Sequence, residues 1–239
     1  MEWKPILEYL GWRQVDVKIP MFAKEADGRT FFASIPDTIG GIIPVDMKVS
    51  KKEQQEIHNY VKQFADYIVI GDLNDQWKLP YKEYPVDYQI IKTKNLKLEK
   101  DTRNQIGQAK RYGVTVREME PGDNYWACVK ESSARQNRVG VTEDLLRVMR
   151  ANFKGLVAEY GGKVIAGCLY GDDMHYVHSA SLTGYQKFRP NHAIMNTLIE
   201  IADGREINLG NAPKELIGLG KFKESFGAQL RSFKLKYED

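Results

Sequence analysis

The feature that most constrains the fold is a pair of apolar runs joined by two glycines. The run Leu156–Tyr160 is followed by Gly161-Gly162 and then by Lys163–Tyr170. A two-residue hairpin turn requires positive φ angles, which glycine adopts without a steric penalty. The pattern therefore predicts an antiparallel β-hairpin over residues 156–170.

The elements around this hairpin predict one α/β domain over residues 101–239 with a mixed, mainly antiparallel sheet flanked by helices. Their predicted order is helix, strand, two helices, three antiparallel strands, helix, strand, short turn and strand. The bounds read from the sequence are a helix from Asp101 to Tyr112 stopped by Gly113, helices at 124–137 and 142–153, a strand at 174–182, a loop at 184–190, a helix from Pro190, a short strand at 207–209 and a final strand from Ser232.

The sequence of residues 1–100 predicts a partial α/β unit that packs on the 101–239 domain and is not an independent domain. Ser50 and Glu53 form a capping box for one helix. The loop 35–44 is apolar, but its glycines and prolines argue against regular structure. The other expected features are strands at 16–23, 30–34, 67–70 and 88–91, a turn at 26–28, an apolar helix stripe of Ile57, Tyr60, Val61 and Phe64, and a surface connection at 72–85.

Composition narrows the class of protein. The chain has 239 residues, 42% of them apolar, and a formal net charge of +3, which argues against disorder and against a strong bias towards polyanions. Cys128 and Cys168 lack metal-ligand spacing, so we expect buried thiols in a reducing compartment and no metal site. The start of the chain does not resemble a signal peptide, and no apolar run approaches the ~20 residues that span a bilayer. We therefore expect a soluble, cytoplasmic protein.

The segment 218–228 carries the most distinctive chemistry. Phe222 and Phe226 are four residues apart, which places both rings on one side of a short helical turn. Lys221 and Lys223 are two residues apart and would point in different directions. Gly227 is suited to the turn into the last strand. From spacing alone, the lysines are either solvated or functional.

This segment resembles the Phe-Lys-x-x-Phe-Gly segment of the peptidoglycan bridge-forming aminoacyltransferases, the FemABX branch of the GNAT acyltransferases. The run Arg103–Val114 is similar to the Arg-x-x-Ile-x-x-Ala-x-x-x-Gly-Val segment that opens the second domain of those enzymes. Weaker similarities lie at 191–196, at 208–210 and in the proline and double-glycine stretch at 35–41. The resemblance implies a GNAT-like acyltransferase fold, with a shortened second GNAT-like unit at the N-terminus.

The resemblance also implies a reaction, in which an acyl or aminoacyl group is transferred to an amine. Lys223 would be the catalytic residue that steadies the charge formed during transfer. No Ser-His-Asp pattern is present, which favours direct attack in a ternary complex over covalent catalysis. The acceptor would be a small-molecule or peptide-like amine, and the donor either acyl-CoA or aminoacyl-tRNA. The sequence makes no prediction of the oligomeric state.

The chain also departs from the family pattern. The first unit has room for only part of a GNAT-like unit, and no long heptad segment forms a helical arm. The Arg/Gln-x-x-Gly-x-Gly/Ala loop that binds acetyl-CoA is replaced by 184–190. Two alternatives therefore stay open, which are an acetyl-CoA-dependent N-acetyltransferase and a non-catalytic GNAT-like binding module.

Candidate binding residues follow from the needs of acyl transfer. The amides of Asn191, His192 and Ala193 at a helix start could bind an anion beside Arg189. Arg103 shares a helix face with Gly107, Lys110 and Arg111, which is either an anion site or a solvated basic face. Tyr176 and His178 would share one side of the strand that borders the cleft, where His178 is either a base or a structural residue. The predicted substrate-binding residues are Arg103, Tyr176, His178, Arg189, Asn191, His192, Asn208 and Phe222.

Overall fold

The computed structural model describes residues 4–15, 21–26, 29–33, 35–36, 42–43, 50–63, 67–72, 77–79, 81–136, 141–210 and 217–238. The predicted strand residues 16–20, the turn residues 27–28 and Phe64 lie outside these ranges. Within the described ranges, no helix combines the length and the apolar content that a membrane crossing would require.

The described residues form seven α-helices, one 3-10 helix and thirteen strands. The helices are α1 (Lys4–Tyr9), α2 (Lys51–Val61), α3 (Lys100–Arg111), α4 (Tyr125–Gln136), α5 (Glu143–Asn152), α6 (Pro190–Ala202) and α7 (Ile217–Ser225), with the 3-10 helix at Thr183–Phe188. The strands are β1 (Arg13–Val15), β2 (Met21–Ala26), β3 (Arg29–Ala33), β4 (Ile35–Pro36), β5 (Ile42–Ile43), β6 (Tyr67–Asp72), β7 (Lys82–Lys92), β8 (Thr115–Glu118), β9 (Lys154–Tyr160), β10 (Lys163–Tyr170), β11 (Tyr176–Ser181), β12 (Glu206–Asn208) and β13 (Gln229–Glu238).

The chain divides into two compact units, one of residues 1–87 with 231–239 and one of residues 88–230. This division differs from the expected boundary at residue 100, because 88–100 group with the later residues and most of β13 groups with the first unit. Whether the two units correspond to the expected domains stays a prediction.

In the first unit, the strands follow the order β1-β2-β3-β6-β13-β7. Strands β3 and β6 pair in parallel, whereas β6 and β13 pair antiparallel. Buried apolar side chains from α2, β6 and the segment after β6 form the core of this unit. They include Ile57, Val61, Ile68, Ile70 and Trp77.

Several expectations for the first unit are confirmed and others are corrected. Ser50 caps α2 in a capping box with Glu53, as predicted. Tyr60 is 47% exposed, so its predicted place in the apolar stripe is wrong. Strands β4 and β5 pair with each other where no regular structure was expected, because two residues on each side suffice for a minimal antiparallel bridge. Strand β7 begins inside the expected surface connection.

In the second unit, β8 to β11 form an antiparallel sheet in the order β11-β10-β9-β8. The predicted hairpin is confirmed as β9 and β10, with Tyr160 paired to Lys163. Gly161 and Gly162 have φ angles of +58° and +74°, the values that the two-residue turn requires. The sheet is buried along most of β9 and β10.

The way β11 and β12 diverge positions the candidate site. They meet at one parallel bridge between His175 and Asn208, where the Asn208 amide donates to the Met174 carbonyl at 3.1 Å. Strand β12 then pairs antiparallel with the end of β7, while β11 pairs with β10. Strand β12 therefore ends at this bridge and β11 begins just after it, and α6 connects the two strands in sequence.

The segment 184–190 differs from the expected loop. Residues 184–188 belong to the 3-10 helix. Arg189 follows this helix and has a left-handed backbone conformation, with φ +60°. Pro190 occupies the first turn of α6 as predicted, since its missing N–H needs no partner there. The chain thus changes direction between the 3-10 helix and α6 at one residue, Arg189, which is not a glycine.

The contact between α4 and β10 allows a direct test of the core. The Tyr125 ring covers Gly167 so closely that a Cβ there would lie 2.8 Å from two ring carbons and 3.1 Å from the Leu156 carbonyl. Gly167→Ala should therefore reduce the free energy of unfolding by about 1–3 kcal/mol, as overpacking does. Urea unfolding of the full chain measures this. Gly122→Ala is the matched control, because no atom lies within 4 Å of its added Cβ. Equal midpoints for the two variants would contradict the packing described.

Candidate active site

A cavity of about 500 Å³ lies in the second unit, beside the end of β11 and the residue that follows β12. It is lined by side chains of α4, β11, the 3-10 helix, α6 and α7. The lining residues used below are Arg135, Tyr176, Ser179, Arg189, Asn191, His192, Leu209, Phe222 and Lys223. Six of the nine predicted site residues are thus brought together here, which are Tyr176, Arg189, Asn191, His192, Phe222 and Lys223.

The described charged side chains that line the cavity are all cationic. Among the residues that the structure describes, three cationic side chains, Arg135, Arg189 and Lys223, line it, and no Asp or Glu does. In a partly desolvated site, such an arrangement stabilises an anion or a developing negative charge. Among the described residues, no cluster of His, Cys, Asp or Glu side chains is placed to hold a metal ion.

Lys223 is the most buried of these cations. Its side chain lies on α7 and is only 4% exposed, whereas Lys221 is exposed. The Nζ atom donates to the Leu209 carbonyl at 2.7 Å and to the Gly210 carbonyl at 3.4 Å. Burial lowers the pKa of Lys223 from 10.5 to about 8. The two lysines therefore differ in exposure, which is consistent with the different directions that the sequence predicts, and the catalytic role of Lys223 stays a prediction.

An aromatic cluster supports α7 beside the cavity. The rings of Phe222 and Phe226 lie 5.3 Å apart between centroids, which confirms their predicted common face. His192 packs edge-on against Phe222 at 5.2 Å and against Phe226 at 5.6 Å. Burial, with a smaller contribution from the charge of Arg189, lowers the pKa of His192 to about 4. His192 is therefore a neutral imidazole at pH 7.

The start of α6 offers fewer free donors than its sequence predicts. The amides of His192 and Ala193 donate to the Arg189 carbonyl at 3.1 and 3.2 Å. The expectation of three available amides is therefore wrong for these two residues, because the carbonyl of the cap residue Arg189 accepts the first hydrogen bonds of α6. Arg189 lines the cavity together with His192, and its Nε donates to Gln108 Oε1 at 3.3 Å.

Strand β11 presents Tyr176 and Ser179 to the cavity, whereas His178 does not line it. The Nδ1 atom of His178 is 2.9 Å from the Tyr125 hydroxyl. Burial lowers the pKa of His178 to about 4 and raises that of Tyr176 well above its usual range. His178 thus pairs with a core tyrosine, which matches the structural interpretation of the sequence.

Arg103 and Asn208 also lie outside the cavity lining. Arg103 is exposed on α3, and Asn208 uses its side chain to accept the Gly210 amide at 2.8 Å. The binding roles predicted for Arg103, Asn208 and His178 are not tested by this geometry and stay predictions.

Arg135 is a lining residue that the sequence did not reveal. Its guanidinium donates to Thr183 Oγ1 at 2.8 Å and to Ser132 Oγ at 3.1 Å, which fixes it across the end of β11. One arginine in the last turn of a helix is an ordinary C-terminal feature, so no local pattern distinguishes it. Only the packing of α4 on β11 brings it to the cavity.

Comparison with solved structures identifies the fold. FemX superposes with a TM-score of 0.70 at 12% identity, covering 98% of this chain and 90% of that one. The chain has a GNAT-like fold of the FemX kind. The C-terminal domain of a putative lysylphosphatidylglycerol synthetase from Agrobacterium fabrum gives a TM-score of 0.68 at 13% identity, covering all of this chain and 88% of that domain. A GCN5-related N-acetyltransferase from Kribbella flavida gives 0.51 at 10% identity, covering 98% and 94%.

At these identities, the likeness establishes the fold alone. No protein-family model matches the sequence, and no curated protein matches it. The FemX-like fold is a mixed α/β arrangement with antiparallel sheets flanked by helices, as the sequence predicts.

The lowered pKa of Lys223 makes stability depend on pH. Its pKa is about 8 in the folded chain and 10.5 in the unfolded chain, so the unfolded state binds more protons between these values. Stability therefore rises as pH increases from about 8 to 10.5 and is lost as pH falls through 8. The gain in the free energy of unfolding, relative to Lys223→Met, should be on the order of 3 kcal/mol.

Parallel urea unfolding of the wild type and Lys223→Met at intervals between pH 7 and 10.5 measures this difference. The variant keeps most of the apolar stem and removes the titrating group, so other groups cancel. A difference that stays constant across this range would show that Lys223 keeps its usual pKa.

Proposed function

We propose that this protein transfers an acyl or aminoacyl group from an activated ester or thioester to an amine, by direct attack in a ternary complex. One observation carries the proposal, namely the buried ammonium of Lys223 in a cavity whose described lining includes three cations and no carboxylate. The FemX-like fold supports it, and the cavity lies beside β11 and the residue that follows β12.

The reaction needs a group that stabilises negative charge. The amine nitrogen attacks the acyl carbon, a C–N bond forms and the carbonyl oxygen becomes an oxyanion. The C–O or C–S bond then breaks, and the amine proton passes to the leaving oxygen or sulfur. An ammonium 4 Å from the oxyanion is worth roughly 1 kcal/mol in water and about 4 kcal/mol near a protein surface. Lys223 supplies that charge.

The lining residues offer little general-base capacity. No carboxylate is among the lining residues that the structure describes, and the imidazole of His192 has a pKa of about 4. A base with such a low pKa takes up a proton poorly at pH 7. The amine therefore enters in its neutral form, and Lys223 acts as a cation. Below pH 8, Lys223 is mostly charged, so its contribution to transfer falls as pH rises through 8.

The two candidate donors, acyl-CoA and aminoacyl-tRNA, both carry phosphates that suit the cationic lining. The 3-10 helix favours the aminoacyl donor. Its backbone amides at Thr183, Tyr185 and Arg189 already donate to Glu131 Oε1, the Leu182 carbonyl and the Gln186 carbonyl. This segment therefore does not present these amides to a pyrophosphate, as an acetyl-CoA loop must. The acceptor is a small-molecule or peptide-like amine.

The charge of Lys223 is tested by Lys223→Met with Lys221→Met as the matched control. Lys223→Met keeps most of the apolar stem and should lower the transfer rate by about a hundredfold, the scale of losing one oxyanion donor. Lys221 is exposed and should be replaceable. Rates are measured with an aminoacyl-RNA mimic and with acetyl-CoA against a panel of amines. If Lys223→Met keeps full activity and Lys221→Met loses it, the catalytic role belongs to Lys221 and not to Lys223.

Donor binding is tested separately by isothermal titration with coenzyme A, acetyl-CoA and the aminoacyl-RNA mimic. Arg189→Ala and Arg135→Ala should weaken binding about tenfold and reduce its salt dependence, because each removes one cation from the lining. Arg103→Ala tests whether the exposed α3 face contributes, which the sequence predicts. Arg147→Ala makes the same charge change on exposed α5 and serves as the control.

Three outcomes separate the candidate functions. Binding and transfer of the aminoacyl group support the proposal. Transfer from acetyl-CoA would instead indicate an N-acetyltransferase. Tight binding without transfer from either donor would indicate a non-catalytic binding module. Affinity that is the same for Arg189→Ala and the wild type at low and high salt would remove Arg189 from the site.

A further inference from the structure

We infer that Asn208 is a positioning residue that holds a turn whose carbonyls orient the ammonium of Lys223. The inference rests on the proposed function, since it concerns the group that stabilises charge during transfer. It differs from the substrate-binding role that the sequence predicts for Asn208, because Asn208 does not line the cavity and its Oδ1 already accepts a hydrogen bond.

The turn follows directly from the end of β12. Asn208 Oδ1 accepts the amide of Gly210 at 2.8 Å, two residues further along the chain. Asparagine is suited to this contact, because its short side chain mimics a backbone turn. Gly210 has a φ angle of +66°, a conformation that glycine adopts without strain.

Backbone contacts fix the position of Asn208 and brace the turn from the other side. The Asn208 amide is held by the Met174 carbonyl at 3.1 Å, at the point where β11 and β12 meet. The Leu209 amide donates to the Gln89 carbonyl at 2.8 Å, and the Gln89 amide donates to the Gly210 carbonyl at 3.0 Å. Asn208 thus supplies a side-chain hydrogen bond to a turn that is otherwise held by main chain.

Both carbonyls of this turn point at one atom. The Leu209 carbonyl lies 2.7 Å and the Gly210 carbonyl 3.4 Å from Lys223 Nζ, and the Leu209 bond is buried. Carbonyl oxygens stabilise the charged form of the amine, while burial disfavours it. The turn therefore does two things. It aims the ammonium, and it keeps the pKa of Lys223 from falling further.

The two roles of Asn208 predict different behaviour of Lys223. If Asn208 holds the turn, its loss lets the carbonyls move away from Nζ, and the pKa of Lys223 falls. If Asn208 only stabilises the fold, its loss lowers the unfolding midpoint without changing that pKa. The pKa of Lys223 is thus the readout that a merely structural role would not move.

The experiment is a pH titration of the full chain with lysine labelled with ¹³C at Cε, followed by NMR. The Lys223 signal is assigned by its absence in Lys223→Met. The wild type should titrate near pH 8 and Asn208→Ala about one pH unit lower, since it loses hydrogen bonding to a charged group. Asn208→Asp keeps an acceptor for the Gly210 amide and adds negative charge, so its titration should lie at or above that of the wild type.

A matched control and a second variant complete the test. Asn196→Ala removes one asparagine side chain whose Nδ2 bonds Glu200 on the exposed side of α6, and it should leave the titration unchanged. If Asn208→Ala does not fold, Gly210→Ala disturbs the same turn through its positive φ, where no atom lies within 4 Å of the added Cβ. It should lower the pKa of Lys223 in the same direction.

The outcomes separate this inference from the proposed function. A lowered pKa in Asn208→Ala, with recovery in Asn208→Asp, supports the positioning role whether or not any donor is turned over. An unchanged pKa in folded Asn208→Ala overturns it, even if transfer activity is found. With an active donor, the falling limb of the transfer rate at high pH should move by the same amount and in the same direction in each variant.

Discussion

The buried contact between the ammonium of Lys223 and the Leu209 carbonyl is the interaction on which the site depends. A charged amine that is 4% exposed is costly unless hydrogen bonds compensate for the lost water. The turn after β12 provides two carbonyls for this purpose. Because burial still lowers the pKa to about 8, the group stays charged at pH 7 in a site with little competing solvent. That combination is what stabilisation of an oxyanion requires.

The arrangement of β11 and β12 determines where this contact lies. Strand β12 ends at its bridge between Asn208 and His175, and the cavity lies beside β11 and the residue that follows β12. The same bridge fixes the residue whose side chain closes the Leu209–Gly210 turn. Aromatic packing of Phe222, Phe226 and His192 holds α7, the helix that carries Lys223, in place. The ends of the two strands, the Leu209–Gly210 turn and α7 therefore together determine the position of the Lys223 ammonium.

Local patterns predicted the parts of the fold that local chemistry controls. The Gly161-Gly162 turn and the Ser50 capping box each favour one local structure strongly, and both are confirmed. The 3-10 helix at 183–188 was missed, because its capping contact from Glu131 comes from another helix. The cavity was predicted in part. Lys223, Phe222 and the start of α6 carry recognisable patterns, whereas Arg135 reaches the cavity only through packing, and His178 is turned to Tyr125 by a core contact that no strand periodicity reveals.

The role of Lys223 is tested most directly by a crystal structure of the protein with a donor analogue whose scissile ester is replaced by a phosphonate, a tetrahedral mimic of the intermediate. We expect a phosphonate oxygen to lie about 2.7–3.1 Å from Lys223 Nζ, the distance expected of an oxyanion donor. Its phosphates should lie against Arg135 and Arg189. An analogue bound with its phosphonate away from Lys223, while Nζ stays on the Leu209 and Gly210 carbonyls, would contradict this role of Lys223.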